Sequence, residues 1–290
     1  MVEVYRPDTL AQALDKLAVG EHTLFAGGTD LMVKSSVRPG MTPAFIKNVV
    51  FVDAIAELQQ IVHTKAINQQ APALVIGAGV TLNDIEENSL IPAVLRQSVA
   101  KIAAPALRNR ATMAGNICNA SPAADTLPAL YLLDARVVLS SLKGQRELAI
   151  EEFITGPGRN QLKSDEILTH IVIPCLDFEQ TFYHKVGTRK ANALTKLSVA
   201  GAVKVENHVI VDWRVAFGAV GPAVARSREL ELRLRGLSTE ELHEIRLIDE
   251  IVAMYREVIT PIDDQRSTAS YRLQASINLL RRWLNQVRLL

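Results

Sequence analysis

AGGTDL at residues 26–31 and RATMAGNICNASPAADTLPAL at residues 110–130 carry most of what this sequence says about itself. In the first, the adjacent Gly27 and Gly28 permit left-handed backbone angles and bring N–H groups close to a ligand. Helical spacing resumes from Thr29 through Ser36, so the glycines feed directly into an expected helix. The positive end of a helix is a good seat for a phosphate, and Thr29 adds a hydroxyl. Taken alone, the same residues read better as an ordinary helix entry. In the second stretch Thr112, Asn116, Ser121 and Asp125 are small hydrogen-bonding residues separated by Ala and Gly. Such a segment can wrap a polar ligand with backbone and side-chain contacts. A polar surface loop is the competing reading, but the Ala-rich, weakly charged composition suits a ligand-lining segment better. A third candidate, Gly77-Ala78-Gly79, sits between an expected strand and helix. It lacks the third glycine of a dinucleotide fingerprint, since Leu82 stands there, and no acidic residue follows about 20 positions on. It reads as a tight turn.

Working outward, Thr9 and Gln12 have capping-box spacing before an apolar face of Leu10, Leu14 and Leu17, and Gly20 ends that helix. Strands are expected at 22–26, 45–52, 58–63, 74–78 and 167–173, with a hairpin of 136–142 and 146–150 about Lys143-Gly144. Helical spacing runs from Ile91 to Ile102, and 103–128 is expected to be irregular. A domain boundary falls near 174–179. Beyond it come strands at 181–187, 197–205 and 209–219, a turn at Glu206-Asn207-His208, and helices at about 239–258 and 268–287. The pattern is α+β, without regular βα alternation.

Composition removes several functions. The chain has 290 residues, with 48% hydrophobic and 22% charged, and 32 Lys and Arg against 31 Asp and Glu. That balance offers no basic surface for nucleic acid. No apolar run approaches a membrane span and no signal peptide is evident, so a cytoplasmic protein is expected. Two cysteines, Cys118 and Cys175, cannot supply the four thiolates of an iron–sulfur cluster. Cys118 is read as a packing residue. The six histidines lack metal-ligand spacing, and neither a serine-hydrolase elbow nor a P-loop is present. No metal site and no catalytic acid–base set is expected.

The two quoted stretches, with FITGPGRNQLKSDEILTHIVIP (153–174), FYHKVGTRKANALTKLSVA (182–200) and WRVAFGAVGP (213–222), resemble the FAD-binding medium subunit of molybdenum hydroxylases. These are enzymes of the xanthine, carbon monoxide and nicotinate dehydrogenase type. The resemblance implies an α+β fold: a two-lobed FAD-binding domain of the PCMH type over 1–176, then a smaller α+β C-terminal domain with a β-sheet and helices over 177–290. It implies that the first glycine loop and the Thr-x-x-Gly-Asn loop clasp the pyrophosphate and ribityl chain of FAD. The contacts it implies are Leu24, Phe25, Ala26, Gly27, Gly28, Thr29, Asp30, Leu31, Ile102, Thr112, Met113, Ala114, Gly115, Asn116, Asp125, Leu168 and Lys185. Ile102 and Leu168 suit the apolar face of a ring system, and Asp125 a hydroxyl or ring N–H. Lys185 would set a positive charge near the cofactor or be a solvated strand lysine. Asp30 is awkward beside a pyrophosphate and is expected to turn away and bond backbone. Ala114 departs from the family's usual second pair of glycines, and the cysteine-rich insertion of some relatives is absent. The implied function is electron transfer from a [2Fe–2S] small subunit to NAD or another acceptor, beside a molybdopterin-binding large subunit that hydroxylates a purine or other N-heterocycle. A self-contained FAD oxidoreductase and a flavin-free scaffold subunit are the rival readings.

Overall fold

The computed structural model describes residues 2–36, 38, 41–65 and 71–290. The chain divides into two compact units. Unit 1 comprises Met1–Ile91, Ala103–Ala120 and Asp134–Cys175; unit 2 comprises Pro92–Ile102, Ser121–Leu133 and Leu176–Leu290. The chain therefore crosses between units several times, and the boundary expected near 174–179 corresponds to the last crossing.

In unit 1, β1 (Val4–Tyr5), β3 (Asn48–Phe51) and β2 (His22–Phe25) form a parallel sheet with β3 in the middle. The helix Leu10–Ala18 connects β1 to β2. Thr9 Oγ1 accepts from Gln12 N, and Gln12 Oε1 accepts from Asp8 N, one residue earlier than a reciprocal capping box would have it. A second, antiparallel sheet has the order β4 (Ile61–Thr64), β5 (Ala73–Gly77), β10 (Ile167–Pro174), β6 (Arg136–Ser141), β7 (Gly144–Ala149). A small hairpin pairs β8 (Ile154–Gly156) with β9 (Arg159–Asn160). Gly77 and Gly79 lie against the backbone and side chains of residues 58–60, and Gly79 N donates to Leu58 O. These glycines serve a close chain crossing, as the tight-turn reading has it.

Unit 2 is built on the antiparallel sheet β11 (Gln180–Gly187), β12 (Thr195–Glu206), β13 (Val209–Gly218), β14 (Ala225–Arg226). Asn207 and His208 both have positive φ and join β12 to β13 in a two-residue loop, the geometry that matches strand twist. The helices Ile245–Arg256 and Ala269–Val287 pack their apolar faces on this sheet through Ile251, Tyr255, Ile277, Leu280 and Trp283. Gly201 makes room for Trp283, whose indole would lie 2.7 Å from a Cβ there.

Two expectations need correction. Residues 103–128 contain two short helices, Pro105–Arg108 and Met113–Asn119, and the start of a third, Thr126–Leu132. Alanine and leucine are strong helix formers, and the Pro and Gly residues punctuate the helices without preventing them. The helix expected from 239 begins only at Ile245, after a 3-10 turn at Glu241–His243. A further helix, Arg228–Leu234, was not expected, although Ser227 caps it by accepting from Leu230 N.

Candidate functional site

In unit 1, β2 runs straight into the first glycine loop. Gly28 has φ +72°, and a Cβ there would overlap the Phe25 ring. A Cβ on Gly27 would overlap the carbonyl oxygen of Arg110. The first glycine thus lets the two quoted stretches touch backbone to backbone, and the second supplies the left-handed angle. The helix that follows is a single turn, Leu31–Lys34, shorter than the sequence spacing suggests. A helix of one turn sums few peptide dipoles, so its partial charge is small. The amides themselves are the resource. Among the described residues, no acceptor is found for the N–H groups of Gly27, Gly28 and Thr29. Successive free N–H groups in a turn form an anion-binding concavity.

Among the described residues, the Asp30 side chain finds no backbone partner of the kind expected. It pairs with Lys34 at 2.9 Å, four residues along, and both side chains are more than half exposed. Leu24 lies within β2 opposite Val50.

The second loop is anchored before its helix starts. Leu82 N donates to Ala111 O at 2.8 Å, and Thr112 forms a β-bridge with Thr81. Thr112 is the N-cap of Met113–Asn119, and its Oγ1 accepts from Gly115 N at 3.0 Å. Thr-x-x-Gly is therefore a helix cap, a signal legible in the sequence as a threonine three residues before its partner amide. Ala120 ends the helix in a left-handed conformation, and Asn160 Nδ2 donates to Cys118 O at 2.7 Å. Phe25, Met113, Ala114 and Leu168 are buried. Burial pushes the Cys118 thiol up to about 12, which leaves it inert near neutral pH.

Unit 2 contains Ile102, Asp125 and Lys185. Ile102 is partly buried just beyond the helix Ala93–Val99. Asp125, 6% exposed, precedes the helix Thr126–Leu132. Its Oδ1 accepts from Thr195 Oγ1 at 2.7 Å and from the Tyr183 hydroxyl at 3.1 Å, and its Oδ2 from Lys185 Nζ at 2.7 Å. Lys185 also donates to Lys101 O at 2.9 Å. The structure thus brings Asp125 and Lys185 together; Lys185 is a buried, paired cation and not a solvated strand lysine. Burial holds the Asp125 carboxyl above its ordinary value against the opposing pull of Lys185 and the hydroxyls. Tyr183 and Thr195 are partners that sequence reasoning missed. Tyr183 was findable, because residues two apart on a strand share a face with Lys185. At the far end of the same helix, Arg214 donates to Leu132 O and Arg226 to Tyr131 O, satisfying carbonyls that the helix leaves open.

Among the described residues no group of three His, Cys, Asp or Glu is placed to hold a metal. No described helix is long and apolar enough to cross a membrane.

Residues 1–176 match the FAD binding domain in molybdopterin dehydrogenase, and residues 182–287 match the CO dehydrogenase flavoprotein C-terminal domain. The chain is 28% identical over 271 residues to the glyceraldehyde dehydrogenase medium chain of Sulfolobus acidocaldarius, covering 92% of this chain and 91% of that one. It is 29% identical over 276 residues to the xanthine dehydrogenase FAD-binding subunit of Escherichia coli O157:H7, covering 93% and 90%. A chain of the reconstituted CO dehydrogenase from Oligotropha carboxidovorans has the same fold, with a TM-score of 0.86 at 22% identity over 99% of this chain and 98% of that one. The open amides of the glycine loop fit the anionic pyrophosphate that FAD carries. Two family matches that together span nearly the whole chain settle its membership: it is an FAD-binding subunit of the molybdenum hydroxylase family.

Proposed function

We propose that this subunit passes electrons from the [2Fe–2S] clusters of a small subunit to NAD, within a complex whose molybdopterin-binding large subunit hydroxylates a purine or other N-heterocycle. Bound FAD supplies reversible one- and two-electron chemistry; the chain supplies binding, orientation and shielding. Residues 1–176 act as the FAD-binding domain and 177–290 as the C-terminal domain. The observation that carries the reading is the row of open amides at Gly27, Gly28 and Thr29, packed by Gly27 against the second loop. These amides hold the pyrophosphate, with Ala26, Asp30, Leu31 and the backbone of Thr112–Asn116 around it. Leu24, Phe25, Ile102, Asp125, Leu168 and Lys185 remain assigned to FAD on the resemblance.

The substrate class rests on names alone. Relatives at 28–29% identity include glyceraldehyde, nicotinate, xanthine and caffeine dehydrogenase subunits, three of the four named for N-heterocycles. A self-contained oxidoreductase would need a titratable group poised over the flavin. Asp125 is spoken for by three partners, and the Cys118 thiol is inert. A flavin-free scaffold would have no use for open amides in a glycine loop.

The test is anaerobic. The isolated chain loaded with FAD should be bleached by NADH and should stay yellow with xanthine. Absence of bleaching by NADH points to another acceptor. Bleaching by xanthine alone overturns the division of labour.

A further inference from the structure

Lys34 is the last residue of the turn that follows the first glycine loop, and Asn119 is the last residue of the helix that follows the second. Lys34 Nζ donates to Asn119 Oδ1 and pairs with Asp30 at 2.9 Å. Asp30, Lys34 and Asn119 therefore form a polar chain from one loop to the far end of the other. Gly27 against Arg110 is one point of contact between the two stretches, and this chain is a second. Two points fix an orientation where one leaves a pivot.

Stability is a poor explanation for it. The Lys34 side chain is 59% exposed and the Asp30 side chain 53%, and exposed pairs contribute little to folding. Electrostatics offers a better one. Asp30 belongs to the loop assigned to a doubly negative pyrophosphate, and a bare carboxylate there would repel it. Lys34 offsets that charge and spends a second proton on the neighbouring helix.

We propose that Lys34 is a positioning residue for the cofactor: it neutralises Asp30 and, through Asn119, preorganises the two loops for the pyrophosphate. This deepens the proposed function and rests on its placement of that group. Preorganisation raises affinity by removing an ordering cost that binding would otherwise bear.

FAD affinity and apoprotein melting, measured side by side, test it. Lys34→Met should weaken FAD binding about tenfold and leave the apoprotein melting temperature within about 2 °C of wild type, as an exposed pair implies. Lys34→Arg should restore binding, since it keeps both charge and donor. Asn119→Ala, which keeps the charge and loses the tie, should cost about threefold. Asp30→Asn placed on Lys34→Met should recover part of the loss. Wild-type affinity in both Lys34→Met and Asn119→Ala overturns the inference, provided Gly28→Asp still abolishes binding. If Gly28→Asp also binds FAD normally, the pyrophosphate placement itself has failed. A loss that tracks apoprotein melting in every variant assigns Lys34 a structural role and likewise overturns it.

Discussion

Gly28→Asp should give a colourless protein, and Gly28→Ala a paler one that still binds FAD. Both variants place a Cβ at φ +72° and against the Phe25 ring, so both lose apoprotein stability to the same cause. An L-residue in that region costs about 1–2 kcal/mol, and displacing a buried ring adds to it. The aspartate differs by its charge, which faces the pyrophosphate. Hydrogen bonds to a charged group contribute roughly 1.5–3 kcal/mol each, so losing two weakens binding by about two to four orders of magnitude. The comparison between the two variants, and not either alone, isolates the ligand's charge. Equal FAD affinities for Ala and Asp would remove the pyrophosphate from this loop.

Lys185→Met should be the most destabilising substitution considered, at about 3–5 kcal/mol, because it leaves the buried Asp125 carboxylate without its counter-charge. Urea unfolding at pH 7 measures it. Combining it with Asp125→Leu should cost less than Lys185→Met alone, since an apolar pair buries no orphaned charge. The pH dependence has a definite sign. Burial already raises the folded-state value of Asp125 above 3.8, and Lys185 is the leading influence that lowers it. Without Lys185 the folded carboxyl binds its proton still more readily than the unfolded one. The variant's deficit should therefore shrink as pH falls below neutral. A deficit that grows on acidification would contradict this account of the pair.

The strands were the most legible part of the fold. β12 and β13 declare themselves by β-branched runs either side of Asn207-His208, and the hairpin β6–β7 by Lys143-Gly144. The division into units was not legible, because Pro92–Ile102 and Ser121–Leu133 join unit 2 through contacts distant in sequence. Both glycine loops were legible, but not all that packs them. Gly27 is required by the carbonyl of Arg110, a long-range contact that no local pattern announces. Thr112 reads in the sequence as a small hydrogen-bonding residue, and its oxygen accepts from the Gly115 amide as the helix cap. The partners of Asp125 come from β11 and β12, and only their alternation along a strand would have suggested Tyr183. Local rules found the loops; tertiary packing decided what each residue in them does.

The central claim is that the amides of the first glycine loop hold a pyrophosphate. Titration of the flavin-free chain with FAD and, separately, with riboflavin tests it most directly, because the two share the isoalloxazine and ribityl chain and riboflavin lacks the pyrophosphate, together with the adenosine beyond it. FAD should bind one equivalent per chain, and riboflavin at least about a hundredfold more weakly, as the loss of two charge-assisted bonds implies. Riboflavin binding as tightly as FAD would contradict the claim.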